Sequence, residues 1–269
     1  MQTSQDRWFL LGDLHGEAAP IDLFYWDNRD RLNLDDGNNH IILLGDVGAN
    51  FGLKGLRDQR FKKALSQYPF TYICLRGNHE ARVQNVINGN PRGWKQEHKY
   101  GGTIYVEKKY PKIEYLSDVP AVYEFAGYKT LSIPGAYSVD KWYRLSHKWT
   151  WFADEQLTEE EMELGRVLKK TEAPFDLVIS HTCPWFYMPT DLFLPGLDQS
   201  TVDNTMERYL GELEYDLDYK RWAWGHYHAD RLYPWVDGKE KLMLFNEKVV
   251  DLRKFMEMRE TGTLREILA

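Results

Sequence analysis

The sequence predicts an α/β protein, α+β in its middle third, with two mixed β-sheets packed as a sandwich and helices on the outside. Three observations predict it. Short apolar runs alternate with helical stretches over the first third, closely spaced β-branched and aromatic runs fill the middle, and helix–strand alternation resumes near residue 158. Residues 8–11, 41–44 and 72–75 read as strands buried on both faces, because they lack the polar alternation of a half-solvated sheet. Residues 21–32 and 54–67 lie between them as crossover helices, the βαβ rhythm of a parallel sheet. Residues 103–106, 115–116, 121–125 and 129–133 follow, with Ala126-Gly127 as a turn, and predict a second, more antiparallel sheet. Thr158-Glu159-Glu160-Glu161 is a capping box opening a helix to about residue 170. Residues 177–179 and 222–224 are two more strands around a helix at 202–213, and residues 232–236 and 241–245 make a hairpin around Asp237-Gly238. A charged helix over 252–269 closes the chain.

Composition narrows the function. Hydrophobic residues make up 43% of the 269, ample for a core, and no repeat or Gly/Ser linker divides them, so one domain spanning 1–269 is expected. The net charge of −7 argues against a general nucleic-acid surface, although a local positive site remains open. No apolar run is long enough for a membrane-spanning helix. The first seven residues lack the basic start and apolar stretch of a signal peptide, and two cysteines, Cys74 and Cys183, suit a reducing compartment. A cytoplasmic protein is the expectation.

The chemistry collects at strand ends. Five apolar strands run into Gly12-Asp13-Leu14-His15-Gly16, Gly45-Asp46-Val47-Gly48, Arg76-Gly77-Asn78-His79-Glu80, Ser180-His181-Thr182 and Gly225-His226-Tyr227-His228. Five of the eight histidines fall in these corners. Open α/β sheets bind ligands beyond the carboxyl ends of their strands, so the corners can converge on one site. Residues two apart on extended chain point the same way, which pairs Asp13 with His15 and His226 with His228. Imidazole with carboxylate suits a divalent transition metal rather than Ca²⁺. Asp13, His15, Asp46, Asn78, His181, His226 and His228 are too many ligands for one ion. They fit two ions if one carboxylate bridges, and Asp46, alone on its corner, is the natural bridge.

In this order the motifs resemble those of the calcineurin-like metallophosphoesterase superfamily, and residues 75–80 are similar to the serine/threonine phosphoprotein phosphatase branch. Residues 135–141, with Trp151, Phe152 and Glu155, also look like bacterial and phage members. The resemblance implies Asp13, His15 and His228 on one metal, Asn78, His181 and His226 on the other, and Asp46 shared. It implies a hydroxide bridging the ions that attacks phosphorus in line, with His79 as general acid for the leaving oxygen. The ions would be Mn²⁺, Fe²⁺, Zn²⁺, Co²⁺ or Ni²⁺, with manganese favoured. Two divalent ions outweigh the two carboxylates and a hydroxide, so an acidic protein gains a phosphate-attracting centre.

One departure bears on the substrate. Protein phosphatases continue the second motif as Gly-Asp-x-x-Asp-Arg-Gly, whereas Ala49 and Asn50 stand here where the orienting acid and the phosphate-gripping arginine would be. Asp140 is the candidate orienter of His79, and Arg76, Arg82, Lys141 and Arg144 are candidate phosphate contacts. A small or nucleotide-type phosphate ester is therefore favoured, with a phosphoprotein phosphatase and a catalytically inactive metal-binding scaffold as alternatives. Two aromatic clusters (residues 137–152 and 185–193) either pack the core or line the pocket, and residues 184–196 could rim it.

Overall fold

The structure is a computed structural model that describes residues 6–36, 38–53, 56–193, 200–236 and 238–269. The expected start of the second helix at Lys54, the turn residue Asp237, and Leu194, Pro195 and Gly196 at the end of the rim segment lie outside the described residues.

Thirteen strands among the described residues form two sheets. The first runs, in chain order, through β1 (Arg7–Leu11), β2 (Asn39–Leu43), β3 (Phe70–Cys74), β4 (Trp94–Lys99), β5 (Gly102–Glu107) and β6 (Ile113–Tyr115), and it gains β13 (Val250–Asp251) at one edge. Its spatial order is β13-β1-β2-β3-β6-β5-β4, parallel from β1 to β6 and antiparallel at both edges. The second contains β7 (Ala121–Phe125), β8 (Tyr128–Ile133), β9 (Phe175–Ser180), β10 (Tyr219–Trp224), β11 (Arg231–Val236) and β12 (Lys239–Met243) in the order β11-β12-β10-β9-β8-β7. Here β8, β9, β10 and β12 are parallel.

The alternation along each strand explains the continuous apolar runs. Trp8, Leu10, Ile42, Leu44, Ile73 and Leu75 enter one core with Leu177, Ile179 and Ala223 of the other sheet. Their neighbours Phe9, Leu11, Ile41, Leu43, Tyr72 and Cys74 enter a second core beneath α1 (Ala19–Asn28) and α2 (Arg57–Leu65). Val178, Trp222 and Trp224 pack outward beneath α5 (Glu159–Glu172) and α6 (Thr205–Tyr215). Both faces of each strand thus leave water, which a period of two requires of an all-apolar segment.

Four expectations need correction. Residues 103–106 and 115–116 belong to the first sheet, whereas 121–125 and 129–133 start the second. The middle of the chain therefore crosses between sheets, and apolar content alone cannot say which sheet a strand joins. The polar β4 (Trp-Lys-Gln-Glu-His-Lys) was not expected; it is an edge strand, where charge guards an unpaired rim. The single helix at 252–269 is instead α7 (Leu252–Glu257) and α8 (Leu264–Ile267), broken around Gly262, which is costly inside a helix. Two short helices, α3 (Val83–Gly89) and α4 (Lys141–Ser146), were also missed. The capping box is present: Thr158 Oγ1 accepts from the Glu161 N–H, and Glu161 accepts from the Thr158 N–H.

Candidate metal centre and its two pockets

The carboxyl ends of β1, β2, β3, β9 and β10 deliver the candidate ligands to one mouth of the sandwich. Close approach of the corners depends on glycine. A Cβ on Gly45, whose φ is +95°, would stand 2.1 Å from His181 Nδ1, and one on Gly225 would stand 2.3 Å from Asp13 Oδ1. Backbone at His15, Asp46, His226 and His228 lies in the left-handed region (φ 45–71°), a conformation that non-glycine residues adopt at a cost.

Three overlapping donor groups result: Asp13, His15 and His228; His15, Asp46 and His79; Asp46, His181 and His226. Within each, one donor atom per residue lies within 4.8 Å of the others. His15 Nε2 is 2.9 Å from His228 Nε2, and His228 Nε2 is 3.5 Å from Asp13 Oδ2. His181 Nδ1 meets the Leu44 carbonyl at 2.8 Å. That bond places the ring proton on Nδ1 and leaves the Nε2 lone pair facing Asn78 Oδ1 (2.9 Å) and Asp46 Oδ1 (3.3 Å). Asn78 is itself oriented, since its Nδ2 donates to Ser138 Oγ at 3.0 Å, and Ser138 donates in turn to Glu155 Oε2 at 2.5 Å. Lone pairs of three acceptors therefore converge with no proton assigned among them. A cation resolves that arrangement, and the mixed imidazole, carboxylate and amide donors match transition metals.

The electrostatics fit the same picture. Burial pushes Asp13 up to about 8, against the pull of His181. Burial opposes charge on Asp46 as well, but His181, His79 and His15 hold it well below the ordinary carboxylate value. His181 goes the other way. Burial disfavours its charge, yet Asp46 and Asp13 raise it to about 9. Burial also raises Glu80 to about 7; it accepts from the Gly48 N–H at 2.7 Å and so ties the second corner to the third.

His79 sits beside this cluster, with Nε2 3.9 Å from Asp46 Oδ2 and its backbone N–H donating to Asp46 Oδ1 at 2.8 Å. Burial, with Arg144 adding to it, lowers the imidazole to about 4. Arg144 Nη2 packs directly against the ring, and Phe51 stacks over it at 6.1 Å. Asp140 does not reach His79 as the expected orienter; it pairs instead with Arg144 Nε at 2.8 Å.

Two pockets flank the centre. One, about 540 Å³, is lined by His15, His79, Phe51, Arg57, Arg144 and Lys148, with Asp140 and Trp149 also on its wall. The other, about 620 Å³, is lined by His226, His228, Tyr137, Met188 and Phe193, with the acids Asp203 and Glu207. Segment 184–193 thus contributes to a rim, although Trp185 and Phe186 line a separate concavity against α5 and α6.

Of the candidate phosphate contacts, only Arg144 and its partner Asp140 reach a pocket wall beside the ligands. Arg76 is buried beneath the site, donating to the Glu155 carbonyl at 2.7 Å with Asp118 3.5 Å away. Arg82 is occupied by Glu161 and by the Asp154 and Gln156 carbonyls. Lys141 lies 4.4 Å from the Trp151 ring and lines neither pocket. Arg57 and Lys148 were missed, because neither stands in a strand-end motif; in the sequence only Lys148 has an aromatic neighbour, Trp149, and nothing marks Arg57.

The fold and the site together place the chain in a class. It belongs to the calcineurin-like phosphoesterase family, whose model matches residues 7–230, and as a member it is a metallophosphoesterase, a hydrolase of phosphoric esters. A search of curated proteins finds no match. Among solved structures, the chain is similar to the protein TT1561 of Thermus thermophilus (14% identity, 93% of this chain and 96% of that one, TM-score 0.49). It is also similar to a dimetal phosphatase from Danio rerio (9%, 92% and 93%, TM-score 0.46). A third structure, 11% identical over 92% of this chain and 95% of its own, reaches a TM-score of 0.52. At 11% identity the likeness to this third structure is one of fold.

Proposed function

We propose that the chain is a single catalytic domain that hydrolyses small phosphate esters, nucleotide-type ones included, at a two-metal centre. Asp13, His15 and His228 would hold one ion, Asn78, His181 and His226 the other, and Asp46 both. The observation that carries this reading is the overlap of three donor groups through His15 and Asp46. Two bound ions supply Lewis-acid stabilisation of the phosphoryl oxygens and a nucleophile at neutral pH.

The chain's own side chains do the rest. Arg144 would grip a non-bridging phosphoryl oxygen with Nη2, the one guanidinium nitrogen turned to the His79 side of the pocket. His79 would hold a proton for the leaving oxygen. An anionic ester between the two offsets Arg144's charge and so favours the imidazolium that this role needs. Phe51 and Trp149 wall one side of that pocket.

A small substrate is favoured over a phosphoprotein by the second motif. Ala49 and Asn50 are buried, and Asn50 Oδ1 accepts from Lys62 Nζ at 2.8 Å, turned away from the ligands. The test is turnover by manganese-reconstituted protein, with a chelated control, on a phosphopeptide, bis(p-nitrophenyl) phosphate and a nucleotide panel. The same assay on His79→Asn should fall by about 10²–10⁴-fold with metal retained. Unchanged turnover would remove His79 from the reaction, and strong preference for the phosphopeptide would reverse the substrate order.

A further inference from the structure

The pocket on the His79 side carries more positive charge than one phosphoryl group needs. Arg144 is offset by Asp140 at 2.8 Å. Arg57 is not so offset: its Nη2 donates to the His15 carbonyl at 3.2 Å, and its guanidinium lies 5.0 Å from the Phe51 ring centroid. Lys148, on the turn after α4, has no carboxylate partner among the described residues and faces the same pocket. Two uncompensated cations converging in a concavity of a protein with net charge −7 are a local exception to its overall field. The opposite pocket is the reverse. Among the described residues lining it there is no lysine or arginine, but there are Asp203 and Glu207 with Met188, Leu192 and Phe193.

This asymmetry, with His79 on one side, sets the direction of the substrate. In an in-line displacement the leaving oxygen departs on the side of its proton donor. His79 lines the cationic pocket, so the leaving group exits into it, and the group that stays on phosphorus lies towards His226 and His228. We infer that Arg57 and Lys148 form a second anion site for a phosphate carried by the leaving group. The substrate class is a phosphoanhydride: a phosphoryl group bearing an uncharged organic substituent, joined through oxygen to a further phosphate. The inference rests on the phosphoesterase reading above and deepens it.

The step is hydrolysis. Water's oxygen bonds to the retained phosphorus, and the P–O bond to the second phosphate breaks with its electron pair on the departing oxygen. One of water's protons replaces the proton that His79 delivers to that oxygen, and the other leaves to solvent. Arg57 offers a fork of N–H donors matched to phosphate oxygens, and Lys148 a mobile point charge.

Two measurements test this. In the first, metal-loaded protein is given adenosine diphosphate and adenosine 5′-(p-nitrophenyl phosphate), which differ in whether the leaving group is a phosphate. The ratio of their kcat/KM values should fall by about tenfold or more in the Arg57→Gln, Lys148→Gln double variant, and Arg57→Lys, Lys148→Arg should restore most of it. Both side chains are exposed, so folding is not at stake. In the second, calorimetry follows inorganic pyrophosphate binding to chelated protein at low salt, where the double Gln variant should lose about tenfold in affinity. A ratio within threefold of wild type, or an unchanged pyrophosphate affinity, overturns the second anion site. Failure of the wild type to hydrolyse either ester would instead sink the phosphoesterase reading, and the binding measurement would still decide this one.

Discussion

Arg144 lies with its guanidinium against the imidazole of His79, across 65 residues of chain. Helix α4 brings it there, fixed by Asp140 one turn earlier and by the Thr150 carbonyl at 3.2 Å. A cation therefore stands beside the proposed acid even though the second motif carries Ala49 and Asn50. That positive charge comes from α4.

Replacing Arg144 should cost turnover. Arg144→Ala is expected to lower kcat/KM for an aryl phosphate by about 10²-fold, and Arg144→Lys to recover only part, because an ammonium cannot reproduce the planar fork. Since Arg144 helps to hold the His79 pKa down, the limb of the pH–rate profile that reports His79 should move to higher pH in Arg144→Ala. A profile that keeps its shape and position would assign Arg144 a structural part alone.

Asp46 belongs to two of the three donor groups. Asp46→Asn should therefore weaken both ions, seen by calorimetric titration of the chelated protein with Mn²⁺. Loss at one site with the other intact would refute the sharing.

Ser138 offers the contrasting case. It accepts from Asn78 Nδ2 and passes the constraint to buried Glu155, which leaves Asn78 Oδ1 facing His181 Nε2. Ser138→Ala should release the amide and weaken one ion by about tenfold, the lower end of what outer partners of metal ligands contribute. Equal weakening of both sites, or of neither, would count against this route.

Stability should respond to acid through His40, far from the ligands in function if not in sequence. The ring stacks on Trp8 at 4.1 Å, its Nδ1 is buried without a partner, and burial lowers it from 6.5 to about 4. The unfolded chain thus takes up a proton between those values while the native state does not. The contribution is fully present above pH 6.5 and is lost as pH falls towards 4. Urea unfolding at about pH 7.5 and about pH 5 should show wild type losing more stability than His40→Phe, and equal losses would contradict the assignment.

Strand-end motifs were legible because parallel βαβ chemistry puts ligands where apolar runs stop, and runs of four apolar residues are hard to mistake. All seven candidate ligands lie at one mouth of the sandwich. The walls around them were not legible. Arg76 opens the third motif and Arg82 follows it, yet burial and carbonyl partners turn both away, whereas Arg57 and Lys148 come from a helix start and a turn that carry no motif. Sequence distance does not report which way a long cationic side chain leans. Nor did apolar content reveal that the middle strands divide between the sheets, since that depends on which edge is free.

Asp13, His15, Asp46 and Asn78 hang from the seven-stranded sheet, and His181, His226 and His228 from the six-stranded one. Cations shared between them would act as a clasp on the open end of the sandwich, joining layers whose common core is hydrocarbon. Occupancy and cohesion then become one equilibrium, and a molecule stripped of its ions is also one whose halves part more readily.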